Sequence, residues 1–129
     1  MAQITINGVK YPLCLTVAVL DDLEERGLRL ADIDTLYTTG EGRDVQDTIE
    51  NSLWLLGKLM LQGACYAENN GAADVPTPLP LAVLRCSLTP GDVLHTVIPA
   101  VCAAIAEGMG RRIEAAHDAK KADAEFPSP

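Results

Sequence analysis

The segment from Val45 to Glu68 constrains this chain more than any other. Val45, Ile49, Leu53, Leu56, Met60 and Gly63 recur at a helical period on one face. Trp54, Leu61 and Cys65 recur on a second, and Leu55, Leu59 and Tyr66 on a third. Asp44 is the expected cap. A helix apolar on all sides must be covered on all sides, so it belongs at the centre of a bundle or an oligomer. Gly57 and Gly63 each cost roughly 1 kcal/mol against Ala inside a helix. Close approach of a neighbouring helix accounts for them.

The rest of the chain must supply that cover. Ile4 and Ile6 alternate with polar residues, Asn7-Gly8 follows, and Val9, Tyr11 and Leu13 come after. Asn-Gly favours a type I′ turn, because both central residues need positive φ. A hairpin over roughly 3–10 is predicted, its second strand ending near Pro12, which cannot donate to a ladder. Thr16 caps an expected helix over 17–26, with Val17, Leu20 and Leu23 facing inward and Gly27 as its stop. Leu28 to Tyr37 reads as a short helix and Thr38 to Arg43 as a loop. Thr77-Pro78 opens a short helix through Leu81, Leu84 and Leu88. Thr89-Pro90-Gly91-Asp92 combines a cap, a first-turn proline and an acid closing a capping box. The helix that follows carries Val93, Leu94, Val97, Ile98, Val101, Cys102, Ile105 and Met109, and Pro99 is expected to bend it. The fold expected is α+β, mostly α: an N-terminal hairpin packed on four to five helices. Residues 1–114 form one domain, and residues 115–129 read as a polar, disordered tail.

Seventeen Leu and seventeen Ala supply the core, and the chain carries a net charge of −8. Ten carboxylates between Asp21 and Glu50 face only Arg26, Arg29 and Arg43. A nucleic-acid binder would be basic instead. The acidic run reads as a solvated face. Cys14, Cys65, Cys86 and Cys102 lack the paired spacing of a zinc site, and they read as small buried residues with reduced thiols, which suits the cytoplasm. The start of the chain has no basic region followed by an apolar run, so no signal peptide is expected. Leu53 to Ala67, read as the longest apolar stretch, falls short of the ~20 residues a membrane span needs.

No constellation of residues supplies catalysis. Asp92 and His95 are three apart on one helix, but the bland reading, a helix-end histidine beside a capping acid, is favoured. Gly40-Glu41-Gly42-Arg43 lacks the strand and lysine of a phosphate loop. Gly108-Met109-Gly110 lacks the βαβ context of a nucleotide site. Arg111 and Arg112 complement a helix end, Glu24 and Glu25 are surface carboxylates, and His117 is solvated. No catalytic residue, cofactor site or metal site is assigned.

The order of elements resembles the tail assembly chaperones of long-tailed bacteriophages. The likeness is carried by Ile4-Thr5-Ile6-Asn7-Gly8-Val9-Lys10-Tyr11-Pro12-Leu13, an acidic first helix and the long apolar helix. A Pro-rich loop follows, then Leu88-Thr89-Pro90-Gly91-Asp92-Val93-Leu94 and Ala106-Glu107-Gly108-Met109-Gly110-Arg111-Arg112. It spans roughly residues 3–121, and the chain departs from it in its four cysteines and in Pro99. The resemblance implies a non-catalytic protein that keeps the tape measure protein soluble and helps tail tube subunits assemble around it. It also implies absence from the finished virion and, as is frequent in the family, a longer product made by frameshifting near the end of the gene; Lys120-Lys121 is the candidate slip site, against the plainer reading of an ordinary soluble tail. Apolar surface left over from internal packing is then the expected partner site, with Trp54, Leu61, Tyr66, Val93 and Val97 as candidates. Self-association into a homo-oligomer weighs equally with client binding. Neither nucleic acid nor membrane is an expected partner. The competing classes are a small enzyme or ligand-binding helical domain, and a structural virion or neck protein.

Overall fold

A computed structural model describes residues 1–28 and 45–123, with side chains described as far as residue 110. It is a mostly helical α+β fold: a two-stranded antiparallel hairpin and four helical runs, the last of them, Pro90–Asp123, interrupted by a π-turn. Strands β1 (Gln3–Ile6) and β2 (Val9–Pro12) pair with Ile6 opposite Val9 and Gln3 opposite Pro12. Asn7 and Gly8 have φ of 52° and 81°, the left-handed pair that a type I′ turn requires. Ile4, Ile6 and Tyr11 turn their side chains into the core.

Helix α1 (Val17–Glu25) ends in a Schellman motif. The Leu28 N–H donates to the Leu23 carbonyl and the Gly27 N–H to that of Glu24, with Gly27 at φ 81°. Its buried residues are Val19 and Leu23, whereas Val17 is 68% exposed and Leu20 also faces solvent. The expected inward stripe is thus rotated, because α1 docks through an i, i+4 pair only. Thr16 occupies the N-cap without a side-chain cap bond, since its hydroxyl donates to Gln62 Oε1 at 2.8 Å. The expected helix from Leu28 to Tyr37, the loop after it and the Asp44 cap lie outside the described residues, apart from Leu28 itself, which packs on the core.

Helix α2 (Val45–Asn69) is the hub: β2, α1 and the helical segments Leu81–Ser87, Val93–Val97 and Ile98–Asp123 all pack on it. Two of its three apolar faces are buried, through Leu53, Leu56, Met60 and Gly63 and through Leu55 and Leu59. The remaining face is half-buried at Trp54 and exposed at Leu61 and Cys65, and Tyr66, at the end of the Leu55–Leu59 face, is exposed as well. Residues 12–15 cross α2 at Gly63. A Cβ there would lie 2.5 Å from the Pro12 carbonyl carbon and 2.9 Å from Leu13 Cα. One turn earlier, the Leu59 carbonyl accepts the Cys14 N–H at 3.1 Å. The close neighbour of Gly63 is therefore the hairpin's exit strand and not a helix. Gly57 meets only Leu84 Cδ1, at an ordinary 3.8 Å.

Helix α3 (Leu81–Ser87) starts after Pro80, later than Thr77-Pro78 predicts. Helix α4 (Pro90–Asp92) carries the full capping box: Thr89 Oγ1 accepts the Asp92 N–H, and the Asp92 carboxylate accepts the Thr89 N–H. It continues through a π-helical turn (Val93–Val97) into α5 (Ile98–Asp123). Pro99 would clash with the carbonyl four residues before it and offers no N–H of its own. The π-turn directly upstream, with the Ile98 N–H on the Val93 carbonyl, widens the helix at that point. Helical backbone runs to Asp123, inside the segment read as tail, and residues 124–129 lie outside the described residues.

Pro90–Gly110 is also long and apolar enough to cross a membrane by length and composition, at 21 residues and a mean hydropathy of 1.5. The reading of Leu53 to Ala67 as the longest such stretch is corrected accordingly. Val93, Val97, Val101 and Ala104 of this helix lie in the domain core, although only 22% of the apolar window is buried.

Candidate functional site

One side of α2 is left as a groove. Trp54, Gly57, Lys58 and Leu61 stand at i, i+3, i+4 and i+7, so they share one helical face. Pro78, Leu79, Pro80 and Leu81 form the facing wall, and the space between holds about 350 Å³. That volume falls at the lower end of the range for ligand sites. Gly57 keeps the floor low.

The wall has little hydrogen-bonding capacity. Pro78 and Pro80 have no N–H, and the Leu79 N–H donates to Met60 Sδ at 3.2 Å. An incoming strand therefore finds no row of donors to pair with. Recognition here rests on side chains entering an apolar trough.

The rim is charged on one side. Arg26 lies 4.6 Å from the centroid of the Trp54 ring and Lys58 5.7 Å from it, both within cation–π range. Arg26 also donates through Nε and Nη2 to Asn51 Oδ1, at 3.4 and 3.2 Å. Lys58 pairs with Asp22 at 3.8 Å.

Of the five candidate partner residues, Trp54 and Leu61 line this groove, and Leu61 is 48% exposed. Tyr66 is exposed further along α2, outside it. Val93 and Val97 are corrected: they are 1% and 0% exposed. The π-turn holds them toward α2 with Val101, so they belong to the core and offer a partner no surface. The Pro78–Leu81 wall and Arg26 were not anticipated. Lys58 was legible as the i+4 neighbour of Trp54, but only tertiary contact brings Arg26 and the wall to that ring.

The cysteines also differ from expectation. All four are thiols, but Cys65, Cys86 and Cys102 are exposed and only Cys14 is half-buried. Each of the three sits in an apolar stretch, on the outer side of its helix. His95 is exposed, and the Asp92 carboxylate accepts the Thr89 N–H of the capping box. A smaller crevice of about 150 Å³ lies between the hairpin turn and the start of α4, lined by Thr5, Asn7, Ser87, Leu88, Asp92 and Thr96. Among the described residues, no group of three or more His, Cys, Asp or Glu is placed to hold a metal ion. No family model, curated protein or solved structure matches the chain.

Proposed function

We propose that this chain is a non-catalytic tail assembly chaperone of a long-tailed phage or prophage. In this reading it binds an apolar segment of the tape measure protein and assists tail tube subunits to assemble. The observation that carries the reading is the Trp54–Leu61 groove. It is an apolar trough on the hub helix, walled by a segment in which Pro78 and Pro80 have no N–H and that of Leu79 is donated to Met60, and suited to side-chain anchors rather than to chemistry on a substrate. The acidic balance of the chain supports it, since a net charge of −8 keeps a complex with an apolar client soluble by repulsion. The resemblance in element order supplies the identity of the client.

The test is co-expression with the tape measure protein encoded beside it. A complex is expected that survives high salt, because apolar burial is not screened as surface charge is. Leu61→Asp should weaken it without unfolding the chain, since Leu61 is about half exposed. After lysis the chain should remain in the supernatant of an ultracentrifuge spin, which separates this reading from insertion of Pro90–Gly110 into a membrane. Failure to co-purify with any tail protein, with turnover of a small substrate, would overturn it in favour of an enzyme.

A further inference from the structure

Resting on the groove as the client site, we infer that the segment seated there carries a carboxylate beside its apolar anchor, held at the rim by Arg26 and Lys58. Four basic side chains are described, Lys10, Arg26, Lys58 and Arg85, and two of them converge on the ring of the single tryptophan. Arg85 is engaged elsewhere, with Glu50 at 3.0 Å. In a chain of net charge −8, this places two cations against the Trp54 ring, Lys58 in the lining of an otherwise apolar trough and Arg26 beside it. Arg26 is exposed and held by the neutral Asn51 amide, so its guanidinium is oriented by that contact without being neutralised by it. A guanidinium has further N–H groups for an arriving carboxylate. Lys58 meets Asp22 at only 3.8 Å and adds field more than a fixed bond.

The surrounding acidity sharpens the requirement. A partner segment rich in carboxylates would be repelled by the acidic surface of the chain, whereas one carboxylate at the rim meets local positive charge. The wall offers no row of donors for main-chain pairing, because Pro78 and Pro80 have no N–H and that of Leu79 is already donated to Met60. Selection then falls to the anchor side chain in the trough and the charge beside it.

The test is a titration of the full chain followed by the fluorescence of Trp54, the one tryptophan present. The probe is a blocked decapeptide of alternating leucine and serine with one central aspartate, compared with its asparagine counterpart. The aspartate peptide should bind about fivefold more tightly at low salt, as suits an exposed ion pair. The preference should vanish in Arg26→Gln and shrink toward unity in about 1 M salt. Arg26 is exposed, and an unchanged thermal midpoint for the variant certifies its fold.

Equal affinity for both peptides, or tighter binding of the asparagine form, overturns the acidic requirement, and no binding by either overturns the groove as a peptide site. A tape-measure complex that forms equally well with Leu61→Asp overturns this inference and leaves the chaperone reading standing. Selective binding of the aspartate peptide, with no co-purifying tail protein, supports the groove chemistry and removes the chaperone reading.

Discussion

Two glycines on α2 look alike in the sequence and have opposite roles. Gly63 lies under backbone atoms of Pro12 and Leu13, which cannot rotate away as a side chain can. Gly63→Ala should therefore destabilise by about 2 kcal/mol or more, overpacking outweighing the better helix propensity of Ala. Gly57→Ala meets only the end of Leu84 and should stabilise by up to ~1 kcal/mol. Urea unfolding of the two variants checks both signs. A third position calibrates the core: Leu56 is fully buried, and Leu56→Ala should cost about 2–5 kcal/mol in the same assay. A near-zero loss would show that this face of α2 is not core.

The elements are held by local devices that can be removed singly. Thr89 and Asp92 satisfy each other's backbone donors at the start of the last helical run, so Thr89→Ala should cost about 1 kcal/mol in thermal or urea unfolding. Pro99 is subtler. Inside an α-helix a proline costs ~3 kcal/mol, and its removal should return most of that. Here the π-turn at Val93–Val97 already relieves the clash, and it also aims Val93 and Val97 at α2. Pro99→Ala should thus change stability by less than about 1 kcal/mol. A gain near 3 kcal/mol would mean that the proline is strained where it stands.

The hub arrangement governs behaviour at the scale of the molecule. Strand β2, α1, α3, the π-turn and α5 all pack on α2, and residues 12–15 are threaded between it and α5, with Gly63 on one side. Gly108 flanks the other side, where a Cβ would come within 2.7 Å of Leu15 Cβ. What remains uncovered is apolar: Leu61, Tyr66, Leu81, Leu94 and Met109 among others. Net negative charge is the counterweight to association through such surface. Light scattering should therefore show a solubility minimum near pH 4.5, where the net charge vanishes, and recovery as pH rises and the carboxylates ionise.

The amino-acid sequence alone determined the features whose causes are local. Asn7-Gly8 specifies its turn through positive φ, Thr89 to Asp92 their capping box, and the spacing from Val45 to Glu68 its helix, because each physical cause lies within a few residues of its effect. Tertiary structure decided which apolar face is core and which is surface. Trp54, Leu61, Val93 and Val97 are equally apolar letters at helical spacing. Burial depends on what packs opposite: the hub helix covers Val93 and Val97, whereas Trp54 and Leu61 meet an open groove. The same holds for Arg26, brought to Trp54 by the packing of α1 on α2, and for Gly63, whose necessity lies in a strand some fifty residues earlier in the chain.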